Sequence, residues 1–332
     1  MKILVINVAA EVGGALSILK QYIQKFRADS ENEYVVCLST LSFEDSENVK
    51  FINLPWVKRS RLHRLYFDSV YIKKLVKKYN PDRIFSLQNK GVKVNSIPQE
   101  VYFHNALFIC EKRFSLRESR KLWVYQNLIS GMTKKSLKKV DKIYVQADWI
   151  KKDLSDKWGI DPQKIFVERP EVNDVFKSFE FCAQNNEAKK LFYPANFSMY
   201  KNHITLLKAC ADIWEKHGEK AFTLLLTGEA EKLPEGCKQI INAKKYPIVF
   251  LGKLSLDEMK KQYQDSVLVF PSYIETVGLP LMEAKAVGAV ILASNCEYAR
   301  ESVGNYDKVT YFDPFDVEML EKAIRQALDL GV

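Results

Sequence analysis

Residues 267–288 carry the pattern that decides the fold, and they read VLVFPSYIETVGLPLMEAKAVG. The apolar run from Val267 to Phe270, stopped by Pro271, is typical of a buried strand. Pro280 is predicted at the first position of a helix, because that position needs no N–H donor and the proline ring presets φ. A strand, a tight loop and a helix N-terminus in succession form the layout that binds phosphates in open α/β sheets.

Two carboxylates flank this predicted helix start. Glu275 lies in the loop, and Glu283 follows eight positions later in the predicted first turn of the helix. Acidic side chains here would repel a diphosphate, so a functional role for them points to hydroxyl groups. Carboxylates are good acceptors for the hydroxyls of sugars and ribose. The combination predicts a nucleotide-sugar site, and the alternative is a buried strand and a surface helix with two incidental acids.

The complete string resembles the E-x7-E signature of the retaining glycosyltransferases of family 4, which have the GT-B fold. The spacing of the two glutamates alone occurs often by chance, and the offset of the other motif residues makes the match specific. Those residues are Pro271, Ser272, Gly278, Leu279, Pro280, Ala284 and Gly288. The resemblance implies an α/β protein with two doubly wound Rossmann-like domains that face each other across a cleft.

The length and the alternation of elements agree with two domains. A chain of 332 residues exceeds a typical single domain. Apolar strands alternate with amphipathic helices in both halves. We predict an acceptor-binding domain over 1–170, a linker over 171–189, a nucleotide-sugar-binding domain over 190–315 and a C-terminal helix over 316–332.

A second motif lies upstream in the same half of the chain. Lys201-Asn202, after a strand and a short loop, resembles the family's Lys-Asn pair, whose lysine contacts the donor diphosphate. Breaking the anomeric bond leaves negative charge on the nucleoside diphosphate, which a fixed cation and helix N-terminal amides stabilise. The sequence departs from the family at Asn196, where an arginine is usual, and at Thr276-Val277, where glycine and an aromatic residue are commoner. We expect these departures to affect which donor fits.

The resemblance also assigns roles to individual residues. Glu283 is expected to accept hydrogen bonds from the ribose, Glu275 to hold a hydroxyl of the donor sugar, and Lys201 to bind the phosphates. The transfer is expected to retain the anomeric configuration, with the departing phosphate as the base. The predicted donor site is completed by Asn196, Gly252, Lys253, Thr276, Val277, Gly278 and Leu279, of which Gly252 and Lys253 would read the base.

In the first half the resemblance rests on fewer residues. Gly13-Gly14 follows the first predicted strand, and glycine permits close approach of the backbone to a ligand. A glycine-rich loop in this place faces the donor phosphates and the acceptor in the family, and a plain turn is the alternative. His104 follows a predicted strand at its carboxyl end, where open α/β sheets place ligands. It matches a histidine of the family, so we predict that it lines the reaction centre, with a structural histidine as the alternative.

The charge is concentrated in the first half. Residues 1–165 hold 30 Lys+Arg against 17 Asp+Glu, whereas the remainder holds 20 against 24. This asymmetry indicates a polyanionic or membrane-surface partner. Residues 112–142 are predicted to be a long basic helical region with interleaved apolar residues, a pattern of helices that lie on membranes. A solvated basic face is the alternative, and no recognised nucleic-acid module supports nucleic-acid binding.

Other features bear on compartment and cofactors. No stretch reaches the roughly 18 apolar residues of a membrane-spanning helix, and Glu11 ends the first apolar run too early for a signal peptide. The six cysteines include no C-x-x-C pair, which favours reduced thiols in a cytosol. The sequence lacks the D-x-D triplet with which glycosyltransferases of the other common fold hold a metal. We therefore expect neither a metal nor another cofactor.

These observations predict a retaining hexosyltransferase that uses a UDP- or GDP-sugar. The expected acceptor is a glycan, lipid-diphosphate-linked, in bacterial capsule, O-antigen or other surface-polysaccharide biosynthesis, including lipopolysaccharide. The expected location is the cytoplasm, with peripheral contact of the basic domain at the inner face of the membrane. The alternatives are a GT-B enzyme with a soluble acceptor, such as a sugar phosphate or a protein, and a non-catalytic nucleotide-sugar or nucleic-acid binding protein.

Overall fold

The computed structural model describes residues 1–9, 14–177, 189–218 and 221–330. The chain divides into two compact units, Met1–Arg169 and Pro170–Val332. Each unit is built on its own parallel sheet with helices in the connections. The predicted α/β class with two Rossmann-like units is therefore confirmed.

The first unit contains, among its described residues, a seven-stranded parallel sheet. Its strands are β1 (Lys2–Asn7), β2 (Glu33–Leu38), β3 (Val49–Asn53), β4 (Arg83–Ser86), β5 (Gln99–Phe103), β6 (Lys142–Val145) and β7 (Ile165–Val167). The spatial order is β3-β2-β1-β4-β5-β6-β7. The chain moves outward from β1 and then restarts on the other side of β1 with β4, which places the topological switch point between these two strands.

The helices of the first unit include two that contain a wider π-helical turn. The α-helices are α1 (Gly14–Ala28), α2 (Arg61–Tyr66), α3 (Ile72–Tyr79), α4 (Arg120–Val124), α5 (Ser130–Leu137) and α6 (Asp148–Asp156). The π turns Phe67–Tyr71 and Tyr125–Ile129 join α2 to α3 and α4 to α5. No helix in the described ranges has both the length and the apolar character that crossing a bilayer requires.

The prediction of one helical region over 112–142 is wrong at both ends, since α5 ends at Leu137 and Lys142 begins β6. The helix begins at Arg120, where the Ser119 side chain accepts a hydrogen bond from the Leu122 amide. The preceding segment is held as a turn, because the Ser115 amide donates to Glu118 Oε2 at 2.7 Å and the Glu118 amide donates to Ser115 Oγ at 3.2 Å. Reciprocal bonds of this kind form a capping box, which closes a single turn here before Ser119 caps the start of α4.

The second unit repeats the architecture with six parallel strands among its described residues. The strands are β8 (Lys190–Tyr193), β9 (Thr223–Leu226), β10 (Ile248–Phe250), β11 (Val267–Phe270), β12 (Ile291–Ser294) and β13 (Val309–Phe312). The helices are α7 (Asp174–Lys177), α8 (His203–His217), α9 (Glu235–Ala243), α10 (Leu256–Asp265), α11 (Leu279–Ala286), α12 (Glu297–Val303) and α13 (Val317–Ala327). Of the predicted linker over 171–189, α7 is described and residues 178–188 lie outside the described ranges.

Strand β1 shows why the sequence signal for these sheets is a continuous apolar run. Val5 packs in a cluster with Leu19 of α1 on one face of the sheet. Leu4 packs with Ile72 of α3 on the other face. All four side chains are fully buried. Helices cover both faces of a parallel sheet, so consecutive strand residues are all apolar and no polar alternation is seen.

Candidate active site

The site lies at the switch point of the second sheet. The strand order is β10-β9-β8-β11-β12-β13, so β8 and β11 are neighbours although 73 residues separate Tyr193 from Val267 along the chain. Open α/β sheets bind ligands outside the carboxyl ends of the strands at such a point. The loop after β8 leads to Lys201, and the loop after β11 carries Glu275. The topology therefore brings the two predicted motifs together.

Lys201 and Glu275 form an ion pair, with Lys201 Nζ donating to Glu275 Oε1. The same carboxylate oxygen accepts a hydrogen bond from Ser272 Oγ at 2.8 Å. The two charged side chains are only 15% and 17% exposed. A pair this deeply placed is screened far less by salt than a surface pair. The pair is neutral as a whole, and each partner holds the other in a fixed position.

Asn202 fixes the backbone on which Lys201 stands. It adopts the left-handed conformation with φ of 60°, which asparagine tolerates better than most residues. Its side-chain amide donates to the carbonyls of Pro271 at 3.2 Å and Pro314 at 2.5 Å, and its oxygen accepts from Thr205 Oγ1 at 2.8 Å. The loops after β8, β11 and β13 are thus tied together by one buried side chain. The Lys-Asn motif identified this residue, but sequence reasoning gave it no role.

Gly278 begins helix α11 in the left-handed region, with φ of 38°. A Cβ at this position would lie 3.0 Å from Leu281 Cδ1 and 3.2 Å from Tyr298 Cε2, so no larger residue fits without a shift. The turn at Gly278 starts the helix at Leu279, which puts Pro280 second and not first as predicted. The second position accepts proline equally well, because the first four helical N–H groups lack intrahelical partners. Gly278, as the N-cap residue, has no side chain with which to cap this N-terminus.

Glu283 points its carboxylate at a tyrosine. Its Oε2 atom accepts a hydrogen bond from the Tyr263 hydroxyl at 2.7 Å. Tyr263 is fully buried, and its ring packs against Phe192 at 5.4 Å and Phe176 at 5.9 Å between centroids. Burial raises the pKa of Glu283, and the hydrogen bond from Tyr263 offsets part of that rise.

Sequence reasoning missed Tyr263 and its contact with Glu283. A tyrosine at a buried helical position is itself a signal, because a buried phenolic hydroxyl needs a hydrogen-bond partner.

The other predicted donor residues lie at the same edge of the second sheet. Asn196 is exposed after β8, and its Oδ1 accepts from the Ser198 amide at 3.0 Å. Gly252 follows β10 with φ of 68°, and its carbonyl accepts from the Gly228 amide at 2.9 Å. Lys253, beside Gly252, is exposed. In the loop after β11, Thr276 is half-buried and Val277 is buried.

The described site residues of the first unit follow the carboxyl ends of strands in its own sheet. Gly13 lies outside the described residues, and Gly14 is the first residue of α1. His104 follows β5, and its amide donates to Oδ1 of Asn89 at 2.7 Å. Its Nδ1 atom is buried without a hydrogen-bond partner among the described residues. Burial lowers the pKa of His104 to about 4, so the ring is neutral at physiological pH.

Comparison with known proteins identifies the second unit. Residues 174–331 match the family described as "Glycosyl transferases group 1". The second unit belongs to this family. Over 102 residues the chain is 34% identical to the serotype-specific mannosyltransferase WbdA of Escherichia coli, an alignment that covers 29% of this chain and 12% of WbdA. The chain therefore spans only a small part of that relative's length.

Solved structures resemble the whole chain. The glycosyltransferase WaaG, involved in lipopolysaccharide biosynthesis, aligns with a TM-score of 0.73 at 16% identity, over 99% of this chain and 90% of WaaG. Anabaena HepE in complex with UDP-glucose aligns with a TM-score of 0.67 at 14% identity, over the same shares of the two chains. At these identities the likeness shows the fold, and the predicted GT-B class is confirmed.

Proposed function

We propose that this protein is a retaining glycosyltransferase that moves a hexosyl unit from a UDP- or GDP-sugar to a glycan acceptor. The observation that carries the proposal is the pairing of Lys201 with Glu275 at a sheet switch point within the matched family region. The N-terminus of α11, with Gly278 as its N-cap residue, follows in the same loop. A cation, a helix N-terminus and a carboxylate are the groups that a diphosphate and a sugar require.

Each part of the donor would meet a different group. The diphosphate would lie against the α11 N-terminus and Lys201, where the helix dipole and the ammonium both favour negative charge. Glu275 would then share Lys201 with the phosphates and accept a hydroxyl of the sugar. Glu283, held by Tyr263, would accept the ribose hydroxyls. Asn196 adds no charge where the family usually has an arginine, so Lys201 carries more of the phosphate binding.

The proposed reaction exchanges one bond at the anomeric carbon for another on the same face. The bond from the anomeric carbon to the diphosphate oxygen breaks, and its electron pair leaves with the phosphate. The acceptor oxygen forms the new bond, and its proton passes to the departing phosphate oxygen. Lys201 and the amides near Gly278 stabilise the developing charge. Because Lys201 and Ser272 both donate to Glu275 Oε1, that carboxylate is better placed to hold a hydroxyl than to attack carbon.

The remaining proposals concern the acceptor, the location and the cofactors. We propose a lipid-diphosphate-linked acceptor in the assembly of a bacterial surface polysaccharide, at the inner face of the membrane. Support comes from the mannosyltransferase WbdA, from the role of WaaG in lipopolysaccharide biosynthesis and from the basic first half of the chain. Because Lys201 and the helix amides supply positive charge, we propose that the reaction needs no metal.

Calorimetric titration of UDP and GDP tests the donor site. We expect one nucleotide to bind the wild type and Glu283→Ala to weaken it at least tenfold, about 1.4 kcal/mol. Glu297→Ala serves as the matched control, because Glu297 is an exposed acid at the start of the neighbouring helix α12. Absence of binding by either nucleotide to the wild type would refute the proposed donor site. Anomeric configuration of the product, read by NMR, then distinguishes retention from inversion.

A further inference from the structure

A pair of aromatic side chains beside the candidate active site has no part in the proposed donor binding. Tyr273 follows β11 and Phe315 follows β13, and their ring centroids lie 5.0 Å apart. Phe315 is 59% exposed, and Tyr273 is half-buried. The two rings therefore present an open aromatic surface after the carboxyl ends of two strands of the second sheet.

The exposure of Phe315 departs from the usual packing at a helix start. Phe315 precedes Asp316, the N-cap residue of α13. An apolar residue at that place often packs against the fourth residue of the helix, which here is the fully buried Leu320. More than half of the Phe315 surface is instead in solvent, and its ring lies beside Tyr273. The start of α13 alone does not account for this exposed ring.

The backbones that carry the two rings are held in place. The Phe315 amide donates to Asp313 Oδ1 at 2.8 Å, and the carbonyl of the residue before Phe315 accepts from the Asn202 side chain at 2.5 Å. The Tyr273 amide donates to the carbonyl of Tyr200 at 3.0 Å. Because these segments are already ordered, a ligand on the rings would lose little free energy to ordering them.

The aromatic pair lies next to the ion pair of the candidate site. Tyr273 is two residues before Glu275, so their Cα atoms lie within about 7 Å of each other. Tyr200, whose carbonyl accepts from Tyr273, directly precedes Lys201. Lys201 Nζ lies 5.9 Å from the centroid of the Tyr200 ring. Tyr273 is therefore close to both residues that the proposed function assigns to the donor.

The surroundings of Phe315 are acidic, which narrows the class of ligand. Asp313 lies two residues before it, Asp316 follows it, and Glu318 is in the first turn of α13. No lysine or arginine occurs from position 309 to position 321. Carboxylates repel a phosphate or an anionic headgroup, but they are good acceptors for hydroxyl groups. No described residue donates a hydrogen bond to Asp313 Oδ2, which leaves this atom available to a ligand.

We infer that Phe315, Tyr273 and Asp313 bind a neutral sugar unit of the acceptor. The flat face of a sugar ring presents C–H groups, which pack on the negative face of an aromatic ring. Hydroxyls at the edge of the same sugar would donate to Asp313. A neutral sugar matches both the rings and the acid, whereas an acyl chain would leave Asp313 without a donor.

The assignment of this sugar to the acceptor rests on the proposed function. There Glu275 holds the sugar of the donor, so a second sugar beside the ion pair belongs to the acceptor. The subsite deepens the proposed function, because it specifies an uncharged sugar in the part of the acceptor that lies near the transfer site.

Saturation-transfer NMR on the full chain, without nucleotide, tests the inference. The aromatic protons of the protein are irradiated in the presence of methyl α-D-glucopyranoside, methyl α-D-mannopyranoside or methyl α-D-galactopyranoside. We expect transfer to the C–H protons of at least one glycoside. Phe315→Ala is expected to weaken its binding about fivefold, and Phe315→Tyr is expected to retain it. Asp313→Asn is expected to weaken it about threefold, because a neutral amide is a weaker acceptor than a carboxylate.

The matched control is Phe166→Ala in the first unit. Phe166 is 43% exposed, and its ring lies 5.9 Å from that of Tyr144. The control therefore removes an exposed phenylalanine that also packs against a tyrosine, but far along the chain from the candidate site. Glycoside binding by Phe166→Ala is expected to equal that of the wild type.

Three outcomes would overturn the inference. Absence of transfer to all three glycosides in the wild type would mean that the rings bind no sugar. An equal loss in Phe166→Ala would mean weak adhesion to any exposed aromatic ring. Displacement of the glycoside by UDP-glucose or GDP-mannose would mean that the rings hold the sugar of the donor.

Nucleotide titration separates this inference from the proposed function. Phe315→Ala is expected to bind UDP or GDP as the wild type does, and Glu283→Ala is expected to keep its saturation transfer to the glycoside. If neither nucleotide binds the wild type, the proposed donor site fails, and a glycoside signal that depends on Phe315 would still establish the sugar subsite.

Discussion

Replacing Glu275 by glutamine is expected to tighten the binding of the free nucleotide while it lowers turnover. In the unliganded site Lys201 donates to Glu275, so this carboxylate competes with a diphosphate for the same ammonium. Glu275→Gln removes the competing charge and leaves an amide of nearly equal size. The sugar is expected to be held more weakly in Glu275→Gln, because a neutral amide is a weaker acceptor for the sugar hydroxyl than a carboxylate.

The magnitude follows from the geometry of the pair. Two groups that contact one ammonium lie roughly 5 Å apart, where two unit negative charges repel by about 3 kcal/mol at an effective dielectric constant of about 20. Lys201 between them offsets most of this repulsion, and we take about 1 kcal/mol as the net effect. This corresponds to nucleotide binding that is about fivefold tighter in Glu275→Gln. Loss of the charged hydrogen bond to the sugar is expected to reduce kcat/KM by about tenfold or more.

Titration calorimetry of a double-mutant cycle measures the effect. Lys201→Met should weaken nucleotide binding, and in Lys201→Met/Glu275→Gln the gain from the glutamine should vanish, because no ammonium remains to be shared. The cycle isolates the coupling between the two residues. Weaker nucleotide binding in Glu275→Gln alone would refute the competition. So would a fivefold gain that persists in the double variant.

Two further predictions concern the same loop and helix. Burial raises the pKa of Glu283, so this carboxylate takes up its proton at a higher pH than an ordinary glutamate, and nucleotide affinity should fall on acidification through that pKa. Glu283→Gln should abolish this step and leave only the titration of the phosphate, and calorimetry across pH checks both. Gly278→Ala should lower the free energy of unfolding of the second unit by about 1–3 kcal/mol, because alanine would have to adopt a positive φ and its Cβ would lie 3.0 Å from Leu281 Cδ1. Urea unfolding measures this change, and an unchanged free energy of unfolding would contradict the expected strain.

The strands could be predicted because parallel strands buried on both faces give short apolar runs, which their length and the flanking Pro and Gly distinguish from buried helices. Strands β1 and β11 were expected from their apolar runs, and the structure ends β1 at Asn7 and starts β11 at Val267. The start of the basic helix could not be predicted, because a highly charged segment is compatible with both a helix and a turn. There Ser115 and Glu118 close a separate turn, and the helix starts only after Ser119.

The residues of the candidate site were chosen from the motifs, but their contacts with one another were not predicted. Lys201 and Glu275 were expected to bind different parts of the donor, and the structure pairs them with each other. That pairing depends on the order of strands in the sheet, because 74 positions separate the two residues. The Tyr263 contact with Glu283 depends in the same way on how α10 packs on α11. Tertiary arrangement, and not local pattern, determines both.

The side chain of Asn202 has a consequence for how a ligand is received. It joins carbonyls that lie 69 and 112 positions away along the chain, and both bonds are buried. The three loops at this edge of the second sheet therefore cannot open one at a time, since moving any of them strands a buried amide or carbonyl. The three loops are therefore coupled to one another before any ligand binds. Under the proposed function, a nucleotide would lose little binding free energy to the ordering of these loops.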